Sequence, residues 1–495
     1  MSLINIQNLT FSYEGSYDNI FEDVSFQIDT DWKLGFIGRN GRGKTTFLKL
    51  LLGEYEYSGT ISASVDFEYF PYIVTDEDKN TIDALTEIHP DFLYWQLQRE
   101  LSLLEVDENV LYRPFSTLSK GEQTKVLLSI LFLKENSFLL IDEPTNHLDM
   151  KGRQLVSRYL KSKKGFILVS HDRAFLDGCV EHILSINKTN IEIQKGNFSS
   201  WLINKERQDK YEIAESEKLR KQVKRLKETA REKAEWADKS EREKIGGDPR
   251  KIDNTVGRRP YLAAKSKKMM KRAKAIESRY ESSIEEKSKL LKNIESAEEL
   301  KIHRLDYHSN RLISLRDITV SYGENTVCSG ITFDIEKGDR LALQGRNGSG
   351  KSSIIKMIMG ESIPHTGTFE KGSNIIISYV PQDSSFLKGS LSDFAAEHGI
   401  DESLFKAILR KLDFSRSQFD KNMQDFSGGQ KKKVLIAKSL CEKAHLYIWD
   451  EPLNFVDVIS RMQIEELLLS FNPTILFVEH DRVFCEKIAN KTVTL

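Results

Sequence analysis

Two octapeptides carry the residue types that phosphate chemistry requires. Gly38-Arg39-Asn40-Gly41-Arg42-Gly43-Lys44-Thr45 and Gly345-Arg346-Asn347-Gly348-Ser349-Gly350-Lys351-Ser352 both satisfy G-x-x-x-x-G-K-[ST]. Backbone N–H groups of such a glycine loop cradle phosphates, its lysine bridges the β- and γ-oxygens, and its hydroxyl holds Mg2+. Thr46 and Ser353, the next residues, belong to the same expected nucleotide sites. One match alone fits many nucleotide hydrolases. Here other motifs recur at the same offset: Lys351 lies 307 positions after Lys44, Ser427 308 after Ser119, Asp450 308 after Asp142, and His480 309 after His171. Motifs that keep one spacing imply a duplicated domain.

Paired carboxylates supply the second half of the chemistry. Phe138-Leu-Leu-Ile-Asp142-Glu143-Pro144 and Leu446-Tyr-Ile-Trp-Asp450-Glu451-Pro452 are apolar runs ending in an acidic pair. The first carboxylate, Asp142 or Asp450, is expected to hold Mg2+ through water beside Thr45 or Ser352. The second, Glu143 or Glu451, can take a proton from the attacking water. His171 and His480 follow two further apolar runs, from which a ring nitrogen can reach the γ-phosphate. A single Asp-Glu pair or a single histidine is more often an ordinary surface feature. The same order found twice selects the chemical reading.

The elements that must position these groups are also legible. Each glycine loop follows a short apolar strand (34–37, 341–343) and opens an apolar helix (46–52, 353–359). That order sets a helix N-terminus, with its partial positive charge, against the phosphates. The predicted fold class is α/β: two tandem nucleotide-binding domains, 1–200 and 306–495, joined by residues 201–305. A chain of 495 residues is too long for one core. Its 39% hydrophobic and 30% charged residues read as globular with a charge-rich surface. No run approaches the ~18 apolar residues of a membrane span, and the N-terminal residues have no signal-peptide pattern. The four cysteines, Cys179, Cys328, Cys441 and Cys485, are scattered, without a C-x-x-C pair. That argues against a disulfide framework or a zinc site and fits a reducing cytoplasm.

The net charge of −1 conceals an asymmetry. Residues 201–300 hold 28 Lys/Arg against 20 Asp/Glu, a net of +8, and within 221–280 the count is 20 against 9, a net of +11. Apolar residues there recur at helical spacing: Leu219, Val223, Leu226, Ala230, Ala234 and Ala237, then Met269, Ala273, Ile276, Tyr280 and Ile284. A narrow stripe on charged helices predicts a two-helix antiparallel coiled coil. Its tip is expected near 244–262, where Gly246-Gly247-Asp248-Pro249 and Gly257-Arg258-Arg259-Pro260 stand. Arms of about 40 residues reach roughly 60 Å, far more than joining two domains requires. Arg250, Lys251, Arg258 and Arg259 cluster at the turn, with Lys265, Lys267, Lys268, Lys271 and Arg272 beyond it. An inert spacer has no need of them, whereas phosphates do. Ile252, Val256, Tyr261 and Trp236 add apolar and stacking groups suited to unstacked RNA bases.

Between each glycine loop and acidic pair stand Leu118-Ser119-Lys120-Gly121-Glu122-Gln123 and Phe426-Ser427-Gly428-Gly429-Gln430. These resemble the signature loop of ATP-binding-cassette (ABC) ATPases. The resemblance implies ATP sandwiched between the glycine loop of one cassette and the signature of the other: Lys44 and Glu143 with Ser427, Lys351 and Glu451 with Ser119. It also implies adenine stacking on Tyr13 and Tyr322, and contact of Gln382 with Mg2+ and water. The first cassette departs from the pattern, because Phe70-Pro71-Tyr72 puts Tyr72 at the glutamine position. Lys120 stands where the second copy has Gly428, and Asn454-Phe455-Val456-Asp457 replaces Asn146-His147-Leu148-Asp149. Two competent but unequal sites are expected.

Two cassettes joined by a long charged helical hairpin resemble the ABC-F family of translation ATPases. Gly196-Asn197-Phe198-Ser199-Ser200-Trp201 resembles the junction that leads into that family's linker. The resemblance implies binding in the exit (E) site of the 70S ribosome in the ATP-bound state. The linker then reaches past the P-site tRNA towards 23S rRNA at the peptidyl transferase centre, and hydrolysis allows release. The stretch from Pro71 to Ser119 is short, so the arm insertion of several housekeeping members is expected to be absent, as is a C-terminal extension after Leu495. These features resemble the antibiotic-resistance group, Lsa/Vga-like members in particular, and imply protection against lincosamides, pleuromutilins and streptogramin A. A housekeeping translation factor is the nearest alternative. The ATPase subunit of a drug exporter is disfavoured by the hairpin and the lack of spans. A chromosome or DNA-repair ATPase would carry its coil inside one cassette.

Overall fold

Apolar residues at every position of a short run suit strands covered on both faces, which is the condition of a parallel sheet between helices. The structure, a computed structural model, describes residues 2–13, 19–146, 148–186, 191–245, 305–323 and 325–495, with 264, 267, 268, 271 and 278 as isolated positions. The first cassette contains β1 (Leu3–Phe11), β2 (Phe21–Asp29), β3 (Lys33–Gly38), β4 (Ser58–Ser62), β5 (Asp66–Phe70), β6 (Ser137–Asp142), β7 (Phe166–Val169), β8 (His182–Ile186) and β9 (Ile191–Lys195). Its main sheet runs β5-β6-β7-β3-β8-β9, parallel except for the last pair, and β2-β1-β4 form a separate antiparallel sheet. The second contains β10 (Arg311–Tyr322), β11 (Asn325–Glu336), β12 (Arg340–Gln344), β13 (His365–Lys371), β14 (Ile377–Val380), β15 (Leu446–Asp450), β16 (Ile475–Val478) and β17 (Lys491–Thr494). Its sheets, β14-β15-β16-β12-β17 and β11-β10-β13, repeat the first cassette strand for strand apart from β9.

Parallel strands place all their carboxyl ends on one edge, where ligands of open α/β sheets bind. Because β5, β6, β7 and β3 are neighbours, the residues following them meet there: Pro71, Glu143, His171 and the first glycine loop. The sheet is fixed by the core beneath it. Leu34, Phe36, Leu140, Ile167 and Leu184 are fully buried, and Phe36 meets Phe47 of the loop helix edge-on, with ring centroids 5.5 Å apart. Each such side chain stabilises the cassette by about 1.5–3 kcal/mol. The loop helices Lys44–Leu51 and Lys351–Met359 start from Gly43 (φ 89) and Gly350 (φ 90), a left-handed backbone that glycine adopts without strain. A Cβ at Gly43 would lie 2.5 Å from Ile20 Cγ2.

After β9 the chain enters a helix of 48 residues, Phe198–Ile245, which at 1.5 Å per residue is roughly 70 Å long. Asn197 starts it, its Oδ1 accepting the Ser200 N–H at 3.1 Å, while Phe198 and Trp201 are buried with rings 5.5 Å apart. The chain divides into two compact units, Met1–Trp201 with Ala297–Leu495, and Leu202–Ser296. Lys267, Lys268 and Lys271 are helical and exposed. The expected tip with Arg250, Lys251, Arg258 and Arg259 lies outside the described residues, as do the seam side chains. No helix among the described residues is long and apolar enough to cross a membrane.

Candidate active sites

The carboxyl edge of the first sheet walls a cavity of about 520 Å³. Asn40, Gly41, Gly43, Lys44, Thr45, Thr46, Tyr69, Pro71, Asp142, Glu143 and His171 line it from the first cassette, and Ser427, Gly428, Gly429 and Phe455 line it from the second. Glycine loop and opposite signature thus share one space. Lys44 folds over its own loop, its Nζ donating to Gly38 O at 2.7 Å and Arg39 O at 3.2 Å. Burial lowers its pKa against the pull of Asp457 and Glu143. Thr45 Oγ1 donates to Asp142 Oδ2 at 3.0 Å. A hydroxyl and a carboxylate this close are the hard oxygen donors that suit Mg2+.

Glu143 and Glu451 both sit in left-handed backbone, at φ 51 and φ 46, with their N–H groups bonded to Val169 O and Val478 O at 2.9 and 3.0 Å. That conformation costs an L-residue about 1–2 kcal/mol and recurs at functional positions. Their surroundings differ. Burial first, then the charge of Asp142, push the Glu143 carboxyl up to about 8. His171 Nε2 stands 3.3 Å from Glu143 Oε1, and burial, then Lys44 and Arg461, hold that ring well below its ordinary pKa. Glu451 Oε2 instead accepts from Gln382 Nε2 and Asn454 Nδ2, each at 2.7 Å, with His480 Nε2 3.5 Å from Oε1. Burial raises the Glu451 carboxyl, but His480 and the two amides outweigh it and bring it down to about 2. Burial and the Glu451 charge push Asp450 up to about 6.

Ser119 and Ser427 begin the helices Lys120–Leu131 and Gly428–Cys441. Each Oγ accepts a backbone N–H, from Glu122 at 3.2 Å and from Gln430 at 3.4 Å, while the Glu122 and Gln430 side chains accept the serine N–H at 2.8 and 2.9 Å. This reciprocal cap orients the signature helices. Tyr13 OH lies 2.8 Å from Thr46 Oγ1, and Tyr322 OH lies 3.1 Å from Ser353 Oγ, with both rings exposed beside the loop helices.

The family model described as ABC transporter matches residues 21–146 and 328–454, one stretch per cassette and just over half of the chain. The chain belongs to the ABC family of ATPases, with two cassettes in one chain. It is 28% identical over 498 residues to the ribosome protection protein VmlR of Bacillus subtilis, spanning 98% of this chain and 85% of that protein. It is 27% identical over 525 residues to the energy-dependent translational throttle protein EttA of Haemophilus influenzae, spanning 95% and 88%. Among solved structures it is similar to an archaeal ribosome recycling factor, aABCE1, in complex with the stalk protein aP1, with a TM-score of 0.64, 18% identity, and 98% and 87% of the two chains covered. That likeness shows the fold. As an ABC ATPase the protein binds and hydrolyses ATP.

Other contacts of the cassettes leave no trace in motif spacing. Tyr69 OH donates to Asp142 Oδ2 at 3.1 Å, whereas Tyr72 turns away, its OH on Glu68 Oε2 at 3.0 Å. A tyrosine three residues before the glutamine position occurs in both copies, Tyr69 and Tyr379, and that recurrence was the available signal. Asn454, in sequence only a point where the two copies share an asparagine, bonds Glu451. Across the interface, Asn40 Nδ2 donates to Phe455 O at 2.6 Å. A Cβ on Gly429 would meet Phe455 O at 2.3 Å and Asn40 Nδ2 at 2.5 Å, so only glycine fits this approach. At the second site Lys351 Nζ donates to Gly345 O at 3.0 Å and Arg346 O at 2.8 Å. Asp149 of the first cassette acts on its charge. Ser119 is exposed, as are Arg346, Asn347 and Gly348, and His147, the counterpart of Phe455, lies outside the described residues.

Proposed function

We propose that this ATPase binds the ribosome and protects it from antibiotics. In the ATP-bound state it occupies the E site of the 70S ribosome in the cytoplasm. The linker, a helical hairpin over 201–305 with its tip near 244–262, reaches past the P-site tRNA to 23S rRNA at the peptidyl transferase centre. Lincosamides, pleuromutilins and streptogramin A are the drugs opposed there, and hydrolysis releases the protein. The observation that carries this reading is the cavity walled by Lys44 on one side and Ser427 on the other. A ligand touching both walls favours the closed arrangement by its differential contacts. The net charge of +11 over 221–280 supplies affinity for a phosphate backbone, and the likeness to VmlR supports the resistance role.

In this reading the two glycine loops hold the phosphates with Lys44 and Lys351, and Ser427 with Gly429, or Ser119 with Gly121, contact them from across. Tyr13 and Tyr322 stack on adenine. Thr45 with Asp142, and Ser352 with Asp450 and Gln382, would hold Mg2+, which when bound neutralises charge on the phosphate oxygens. Glu451, or Glu143 in its ionised form, takes a proton from water as the water oxygen bonds to the γ-phosphorus. The bond to the β–γ bridging oxygen breaks, leaving ADP and phosphate. His171 and His480 stand against the same carboxylates and face the γ-phosphate.

Likeness to EttA favours a second reading, a housekeeping translation factor built on the same ATPase. The double variant Glu143→Gln, Glu451→Gln is expected to slow hydrolysis roughly 10²–10⁴-fold, as for loss of a general base, and to co-sediment with 70S ribosomes only when ATP is present. Absence of ATP-dependent co-sedimentation overturns the ribosome reading. Gene deletion separates the two roles: sensitivity to lincomycin and tiamulin with normal drug-free growth supports protection, whereas slow growth without drug supports housekeeping.

A further inference from the structure

The first glycine loop is bridged to the opposite cassette by charge as well as by Asn40. Arg39 Nη1 lies 3.4 Å and Arg42 Nη2 3.6 Å from Asp413 Oδ2 of the second cassette. Asp413 stands two residues after the helix Glu402–Lys411, at φ 66. The duplication puts Glu105 in the same place, two residues after the helix Tyr94–Leu103, at φ 50. Glycine would sit there with least strain, yet both copies carry an acid, so the carboxylate has a use beyond the turn. Arg346 is the counterpart of Arg39. Neither Arg346 nor Glu105 makes a side-chain ion pair among the described residues, and both are exposed. Ser349 stands where the first loop has Arg42.

We propose that Arg39, Arg42 and Asp413 form an electrostatic latch that holds the first site closed on nucleotide, and that Arg346 and Glu105 are its single-arginine counterpart at the second site. These are positioning residues. They act by setting how closely the phosphate-binding N–H groups approach the opposite signature. The first latch, with two arginines, holds nucleotide more firmly than the second. This inference rests on the composite-site reading given above.

Turnover in a Glu451→Gln background reports the first site, and in a Glu143→Gln background the second. At the first site, Asp413→Asn and Asp413→Arg are expected to raise the KM for ATP roughly tenfold with kcat changed less than about threefold, the split expected when a charge pair serves binding. Combining Asp413→Arg with Arg42→Asp recovers most of the loss. At the second site, Glu105→Lys raises KM by a smaller factor, and Glu105→Lys with Arg346→Glu recovers it. Thermal melts confirm folding, and Asp413→Asn serves if Asp413→Arg does not fold. An unchanged KM in the Asp413 variants, or a swap without recovery, overturns the latch. Gly429→Ala in the Glu451→Gln background separates the two ideas. If it leaves first-site turnover intact, the composite site is wrong. If it impairs turnover while the Asp413 variants do not, only the latch is wrong.

Discussion

Glu143 and Glu451 occupy the same strained bend, but Glu451 is held by two amides whereas Glu143 faces His171 without them. Gln382 therefore orients a carboxylate in the second site, and Tyr72, bonded to Glu68 with its ring under Lys134, orients nothing in the first. Gln382→Ala is expected to lower second-site turnover roughly tenfold, a typical loss for a misplaced proton acceptor. Tyr72→Ala should leave first-site turnover within about twofold, as expected of a substitution outside the site. Single-site backgrounds measure both, and equal losses would mean that Tyr72 reaches the nucleotide. The family pattern puts Tyr72 at the glutamine position but says nothing of its direction, since spacing along a chain carries no information about which way a side chain turns after Pro71. Tyr69 was hidden for the same reason. It sits on a strand, and only the pairing of β5 with β6 brings its hydroxyl to Asp142.

At the scale of elements, local pattern was sufficient wherever the physics is local. The runs 138–141, 166–169, 446–449 and 475–478 form buried parallel strands because no polar face interrupts them, and the loop helices start where glycine allows a left-handed turn. Contacts between cassettes leave no such trace. Asn40 and Phe455 are separated by 415 positions, and nothing in either neighbourhood marks the other. The root of the long helix Phe198–Ile245 lies between these cases: the junction motif was readable, its packing was not. Phe198 and Trp201, one helical turn apart, are both buried beneath the Asn197 cap. Trp201→Ala should destabilise this root by about 3 kcal/mol, as for other large-to-small changes in a core. Urea unfolding followed by helical circular dichroism tests it. A change below about 1 kcal/mol would mean that the anchor is collapsible rather than packed.

For the whole molecule, the closure on nucleotide proposed above needs a part that stays joined while the nucleotide sites open. Arg173 of the first cassette supplies one. Its guanidinium grips Glu465 of the second cassette with both terminal nitrogens and lies 3.7 Å from Asp481, which Arg461 also bonds at 3.0 Å. Arg173, Glu465 and Asp481 are buried, whereas Arg42 and Asp413 beside the first glycine loop keep 31% and 21% of their side-chain surface exposed. The duplication does not repeat this contact, because Ser157 stands opposite in place of Glu465 and the exposed Arg482 pairs with its own neighbour Glu486. The joint is therefore one-sided. Arg173→Met leaves Glu465 with Lys487 alone and Asp481 with one arginine fewer, so it should cost about 3 kcal/mol and split one unfolding transition into two. Replacing both partners, Arg173→Met with Glu465→Met, removes the uncompensated carboxylate and should return stability to within about 1 kcal/mol of the parent. Salt provides the contrast with the glycine-loop charges. Raising ionic strength should weaken the Arg42–Asp413 part of nucleotide closure, which is partly exposed, and leave the Arg173 contribution nearly unchanged, since buried pairs are screened far less. If the double variant is as unstable as the single, charge is not what joins the cassettes there, and the pivot must lie in the packing between the helices Arg173–Cys179 and Arg482–Ile488.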